Sequence, residues 1–316
     1  MSETAWTDPD WLATAHGWID ERLGALGRHR TGAIEQPHVR SWGTVLRVPT
    51  DGGTLWFKAT EPALQHEAAV HTILAARSPE RVPPLLAADL DRGWLLAADA
   101  GRRLREVVAE ERSLVRWHDA LDGYARVQLA SRADVPALLA TGMPHHRLDD
   151  LAAGYADLVG RLGDDVVEPR LRDAADRVGP MVDRLASYGI EETVQHDDLH
   201  DGQVFVAPDG APGARHRLLD WGDACVSHPF LSLAVTLLGV VAWGVDDEPG
   251  SEDVAPYRDT YLAPFAAALG TSVAALADAA DLGARLGWAS RAVNGHVDAD
   301  PASTVSRLRM YADGRP

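Results

Sequence analysis

Between Val194 and Phe230 the chain reads VQHDDLHDGQVFV, then PDGAPG, then RHRLLDWGDACVSHPF. Three side chains in it, Asp198, Gln203 and Asp220, carry the oxygens needed to hold a hard cation or to take up a proton. Val204, Phe205 and Val206 form one short β-type run, Leu218 and Leu219 another, and residues 208–213 between them are rich in turn formers. Antiparallel pairing folds the second run back along the first, so Asp220 is expected near Gln203, and the loop before Gln203 brings Asp198 to the same end. A cluster of this kind suits Mg²⁺, which takes a few carboxylate or carbonyl oxygens together with waters and nucleotide phosphates.

The order His196-x-Asp198, Gln203 five residues on, then Asp220-Trp221-Gly222 follows the kinase arrangement of a catalytic loop H-x-D-x-x-x-x-N and a later D-F-G. In detail HDDLHDGQ and LDWGD resemble the aminoglycoside phosphotransferase family, whose members read H-G-D-x-H-x-x-N and then I-D-W or a near variant, His200 included. The resemblance implies a bilobal, protein-kinase-like α+β fold with a small antiparallel-sheet N-lobe and a mainly helical C-lobe. It implies ATP as phosphoryl donor, Asp198 as the catalytic base orienting a substrate hydroxyl, and Gln203 and Asp220 as ligands of Mg²⁺. Gln203 departs from the family's Asn, carrying its amide oxygen one methylene further out. With the lack of a G-x-G-x-x-G, that departure leaves a second reading open, a nucleotide-binding pseudokinase or regulatory module without turnover. A protein kinase fits less well, because Asp220 lies nine residues before Pro229 and no A-P-E follows.

Lysine occurs once, at Lys58, and asparagine once, at Asn294. Period-two alternation in a strand over 54–59 puts Leu55, Phe57 and Ala59 on one face and Trp56 and Lys58 on the other. A helix over 61–77 would align Ala63, Glu67, Val70 and Leu74 on one stripe, making Glu67 a carboxylate on an apolar face. Burying it is costly unless a cation meets it, and Lys58 is the nearest along the chain. The family resemblance implies the same pair, a third-strand lysine held by a helix glutamate and gripping nucleotide phosphates. A surface ion pair of little energetic value is the plain alternative.

The elements that must position these groups follow from pattern. A cap helix is expected over 8–26, strands over 35–40, 44–49 and 54–59, and two more over 82–88 and 93–98. Helical periodicity then covers 104–109, 113–131, 148–162, 169–188, 231–243, 254–269, 273–294 and 302–312. The pattern changes at Asp99-Ala100-Gly101, so 1–98 is expected as a nucleotide-binding lobe and 99–316 as a helical lobe with catalytic loop and substrate site. By resemblance, the backbone of Ala97, Ala98 and Asp99 meets the adenine edge at the hinge. Ser41, in the turn between the first two strands, is the one candidate for a phosphate-covering loop. An acidic run, Asp246, Asp247, Glu248, Glu252 and Asp253, is either a solvated loop or a recognition patch for an amino-bearing substrate. His145 and His146 lack enough neighbouring ligands for a zinc site.

Composition sets the outer bounds. With 30 Lys and Arg against 47 Asp and Glu, the net charge is −17, which argues against nucleic acid and anionic membranes and leaves room for a cationic hydroxyl acceptor. The single cysteine, Cys225, excludes an internal disulfide framework and fits a reducing compartment. No basic segment leads into an apolar run at the start, and the apolar stretch 231–245 is too short to span a bilayer, so a cytoplasmic location is expected. Oligomeric state is left open.

Overall fold

Alternating burial of Leu46 and Val48, and of Leu55, Phe57 and Ala59, builds two long strands, β2 (Gly43–Thr50) and β3 (Gly53–Thr60), joined through the Asp51-Gly52 turn. Their antiparallel register pairs Val45 with Lys58 and Leu46 with Phe57. With β1 (Glu35–Arg40), β4 (Leu85–Asp89) and β5 (Trp94–Ala98) they form a five-stranded sheet in the order β1-β2-β3-β5-β4. In the computed structural model, which describes residues 3–163, 165–207, 216–295 and 300–313, the chain divides into two compact units. The first contains this sheet and comprises Met1–Arg102 and Phe205–Asp223; the second comprises Arg103–Val204 and Ala224–Pro316.

In the first unit, α1 (Glu3–Trp6) precedes α2 (Pro9–Ala25), which starts where Asp8 accepts hydrogen bonds from the backbone N–H of Asp10 and Trp11 at 3.0 Å each. One face of the sheet closes under these helices: Trp94 meets Trp18 and Phe57 edge to face, and Trp18 and Phe57 meet at a tilt, with centroid separations of 5.4 to 5.8 Å. On the opposite side Ala68 of α3 (Glu67–Arg77) packs with Leu95 and Ala97. That is the side to which period two assigns Lys58. The late segment contributes β8 (Val204–Val206) and β9 (His216–Leu218), neighbours in a three-stranded sheet whose other edge is β6 (Arg102–Arg103). Leu219 and Asp220 lie beyond β9, and the expected turn at 208–213 lies outside the described residues.

The second unit is mainly helical: α4 (Leu104–Glu111), α5 (Trp117–Ser131), α6 (Val135–Ala140), α7 (Leu151–Leu162), α8 (Pro169–Asp173), α9 (Ala175–Ala186), α10 (Ala255–Leu269), α11 (Val273–Asn294) and α12 (Pro301–Asp313). Two short strands, β7 (Thr193–Gln195) and β10 (Cys225–Ser227), pair antiparallel within it and bracket the HDDLHDGQ loop and the late β segment in sequence. Among the described residues no single helix is long and apolar enough to cross a membrane.

Several expected helices are reshaped by contacts that periodicity does not carry. The segment 61–77 breaks into a 3₁₀ turn, Pro62–Leu64, and α3. Gln65, at the break, donates to the carbonyls of Leu90 and Asp91 at 3.2 and 2.5 Å, and Ala63 is exposed and off the Glu67, Val70, Leu74 stripe. The segment 169–188 divides at Ala174 into α8 and α9. The segment 231–243 is not an α-helix: a 3₁₀ turn, Pro229–Ser232, leads into a π-helical stretch, Ala234–Val240, in which Thr236 Oγ1 donates to Leu199 O at 2.8 Å. The strand expected over 82–88 begins only at Leu85, after Pro83-Pro84, and α6 was not anticipated.

Gly101 combines a φ of +105° with a position where a Cβ would stand 1.9 Å from Val206 O. We expect Gly101→Ala to lower unfolding stability by at least about 2 kcal/mol, read as a lower urea midpoint with unchanged m-value.

Candidate active site

Within the first unit, β3 and α3 bring the lone lysine to its glutamate. Lys58 Nζ donates to Glu67 Oε1 at 2.7 Å and to Asp220 Oδ1 at 2.5 Å. The Glu67 side chain is 2% exposed and that of Lys58 21%, so this is a largely desolvated cation between two carboxylates, not a surface pair. Asp220 is 41% exposed and reaches Lys58 from a left-handed backbone, φ +67°. Gly222 of Asp-Trp-Gly lies against Glu67, where a Cβ would be 3.4 Å from Oε2, an ordinary contact. Burial opposes the Lys58 charge, but Asp220 and Glu67 outweigh it and hold the ammonium above its ordinary range. Burial pushes the Glu67 carboxyl up to about 7, against the downward pull of Lys58. His71, buried on α3, has Nε2 at 2.6 Å from Pro83 O; burial, with Lys58 adding to it, pushes this imidazole down to about 4.

The remaining residues singled out in the first part of the chain are also in this unit. Ala97 pairs with Trp56 and Ala98 with Leu55 in the sheet. Asp99 is turned into its own loop, its Oδ1 accepting from Gly101 N at 3.0 Å and its carbonyl from Arg217 at 3.3 Å. Ser41 lies in the β1–β2 turn, where its carbonyl accepts from Trp6 Nε1 at 3.4 Å and the adjacent Trp42 is 51% exposed.

Asp198 and Gln203 belong to the second unit, in the loop that leaves β7. A buried polar network sets the start of that loop. Gln128 Nε2 reaches Tyr124 Oη (3.1 Å), Val194 O (3.0 Å) and Pro229 O (3.2 Å), while its Oε1 accepts from Tyr261 Oη at 2.6 Å. The backbone N–H of His196 donates to Tyr124 Oη at 2.9 Å. Cys225 Sγ donates to Gln195 Oε1 at 2.8 Å, and Gln195 Nε2 donates to Asp197 Oδ1 at 3.0 Å. The cysteine is thus buried among loop supports.

Asp197 takes a left-handed conformation, φ +63°, and the loop closes with hydrogen bonds from Asp198 N to His196 O (2.8 Å), His200 N to Asp198 O (2.9 Å) and Gln203 N to His200 O (2.9 Å). Arg291, from the last turn of α11, meets Asp197 O and stands 3.0 Å from Asp198 Oδ1. Asp201 pairs with Arg105 at 2.8 Å; burial raises this carboxyl, but His200 and Arg105 outweigh it and hold it below the usual range. The arginine partners were not foreseen. Their signal is tertiary, since Arg291 lies 93 to 94 positions from the residues it meets, and 30 cationic side chains offer no means of choosing it.

The acidic run falls in the second unit as exposed loop. Asp246 is paired with Arg112, Asp253 Oδ1 accepts from Ala255 N (3.0 Å) at the start of α10, and Glu252 accepts from Tyr257 Oη (3.1 Å). Asp247 and Glu248 are exposed. His145 pairs with Glu192 at 2.7 Å.

The donor chemistry suits a hard dication that keeps other ligands. In the first unit Asp220 offers an exposed carboxylate, and among the described residues no group of three His, Cys, Asp or Glu side chains could hold a metal alone. Mg²⁺, which retains waters and phosphate oxygens, matches such a sparse set.

No known family model and no curated protein sequence matches the chain. Solved structures do. The GDP complex of an aminoglycoside 2′-phosphotransferase is similar at a TM-score of 0.62 and 12% identity, covering 95% of this chain and 98% of that one. A choline/ethanolamine kinase family protein from Mesorhizobium loti gives 0.59 and 17%, covering 90% and 86%. A macrolide 2′-phosphotransferase from Brachybacterium faecium gives 0.56 and 16%, covering 92% and 97%. The likeness is one of fold.

Two outcomes test the first unit's triad. Lys58→Met leaves Glu67 buried without its cation and is expected to cost roughly 3 kcal/mol, most of it recovered in Lys58→Met/Glu67→Leu, as a denaturation double-mutant cycle would read. His71 has a folded pKa of about 4, below its unfolded value of 6.5, so its stabilisation is present above pH 6.5 and fades as pH falls to 4. Glu67 carries the opposite sign in an overlapping window, so the comparison must be with a variant. The stability gap between wild type and His71→Asn should shrink by up to about 3 kcal/mol between pH 7 and pH 4.

Proposed function

We propose that this chain, which has the kinase-like fold of the aminoglycoside phosphotransferases, is an ATP- and Mg²⁺-dependent small-molecule kinase that transfers the γ-phosphoryl group to an acceptor hydroxyl. The observation that carries the reading is the buried ammonium of Lys58 fixed between Glu67 and Asp220 on the sheet of such a fold. A lysine spaced and charged in this way is a ready contact for nucleotide phosphates, and the GDP complexes among the structural neighbours support nucleotide binding.

In the proposed reaction Lys58 grips the phosphates and Glu67 keeps it in place. Asp220 and Gln203 would hold Mg²⁺, which supplies positive charge to the triphosphate when bound. Ser41 and the backbone of Ala97, Ala98 and Asp99 line the nucleotide side. Asp198 orients the acceptor hydroxyl and takes its proton as the new P–O bond forms and the bond to the β-phosphate oxygen breaks. Residues 1–98 act as the nucleotide lobe and 99–316 carry acceptor and catalytic loop. Positioning and electrostatics, with no covalent enzyme intermediate, supply the rate.

The acceptor is proposed to be a hydroxyl of a small molecule, an aminoglycoside, amino sugar or similar. Asp247 and Glu248 are the acidic groups best placed to meet its ammonium, since Asp246 already pairs with Arg112. The low cysteine count and acidic charge support a cytoplasmic site of action and no nucleic-acid or membrane partner.

The test is phosphoryl transfer from ATP across a panel of cationic and neutral alcohols, with nucleotide affinity measured in parallel. Wild type should turn over at least one acceptor, and Asp198→Asn should lose at least about 10³-fold in kcat while binding nucleotide as before. ATP binding without transfer to any acceptor, unchanged by Asp198→Asn, would establish the regulatory-module reading instead.

A further inference from the structure

We propose that Arg291 is the positioning residue for the general base, holding Asp198 by one carboxylate oxygen so that the other accepts the acceptor's proton; the inference rests on the phosphotransferase reading. The Arg291 side chain is only 13% exposed. One terminal nitrogen meets the carbonyl of Asp197 and stands 3.4 Å from its Oδ2, and the other is 3.0 Å from Asp198 Oδ1. A planar guanidinium therefore pins a left-handed peptide and the next residue's carboxylate at once, which a single ammonium could not do. Asp198 Oδ2 faces the His200 ring, whose Nε2 is 3.8 Å away, beyond hydrogen-bond length. With Oδ1 engaged by the guanidinium, Oδ2 is the oxygen left to take the acceptor's proton.

The helix carrying Arg291 is brought in close by two buried glycines. Gly283, Gly287 and Arg291 recur every four residues, so they share one face of α11. A Cβ at Gly287 would stand 2.1 Å from Leu231 O, and one at Gly283 2.5 Å from Phe230 Cβ. Bare of side chains, this face closes on the segment that follows β10, and β10 is paired with β7, from which the Asp198 loop departs. One turn further along the same face the guanidinium meets that loop. A side chain placed only to complement the helix C-terminus would have no reason to turn to Asp197 and Asp198.

The experiment compares Arg291→Gln and Arg291→Lys with wild type for kcat, nucleotide Kd and thermal midpoint, and adds Arg291→Gln to Asp198→Asn. Arg291→Gln should lower kcat about 10²-fold while nucleotide Kd stays within about twofold, because the base is misaligned and the nucleotide contacts are untouched. Added methylguanidinium should restore part of the loss, Arg291→Lys should fall between, and the double variant should be no slower than Asp198→Asn alone. A folded Arg291→Gln, or Arg291→Lys should the first not fold, with kcat within about threefold of wild type overturns the proposal, as does a loss that adds in full to that of Asp198→Asn. These outcomes presuppose an active wild type; an inactive one overturns the phosphotransferase reading itself, and this role with it.

Discussion

An ammonium taken out of water persists only where fixed negative charge replaces its hydration, and the first unit is arranged to meet that condition at Lys58. The cation needs β3 in register, so that period two turns Lys58 away from the Trp18, Phe57 and Trp94 core and toward α3. It needs α3 to start at Glu67, and the break at 65–66 permits this. It needs Asp-Trp-Gly at hand, with a left-handed Asp220. Lysine suits this point better than arginine because a compact head with three donors serves two carboxylates on different elements, whereas a fork favours one.

The second unit repeats the device in another form. Asp197 and Asp198 are adjacent carboxylates in a loop whose backbone is held in an uncommon conformation, and Arg291 offsets both their charge and their strain. Its support is polar and buried: Gln128, Tyr124 and Tyr261 tie β7, Pro229 and the His196 amide into one network. A network of this kind is costly if any member is unsatisfied and rigid when all are paired, which fits a loop that has to hold one geometry. In both units, a cation held between acidic groups fixes the side chain proposed for chemistry.

How far the sequence revealed this depended on the range of the signal. Lys58 facing away from the aromatic core and meeting Glu67 followed from two local periods, 2.0 in a strand and 3.6 in a helix, and α11 was legible to its last residue because its apolar pattern runs unbroken for 22 positions. The π-helical course of Ala234–Val240 was not legible, since it accompanies a tertiary bond from Thr236 to Leu199. Nor were β7 and β10, three residues each, too short for alternation to register. Asp220 pairing with Lys58 crosses 162 positions and was not foreseen, since no local period reaches that far. Arg291 had neither a period nor a motif to mark it.

The overall charge makes these local arrangements more demanding. A chain at −17 repels a triphosphate on average, yet at physiological salt that repulsion is screened within about 8 Å. What decides nucleotide binding is therefore the charge within one such length of the phosphates. There the first unit sets one ammonium against the carboxylates of Glu67 and Asp220, with Asp223 acting on Glu67 as well, so the local sum is negative while Glu67 is ionised. Burial favours the protonated form of Glu67, so part of the deficit is removed by the protein itself. In the proposed reaction the remainder would come from a dication held through Asp220, whose exposed carboxylate stands beside the only lysine.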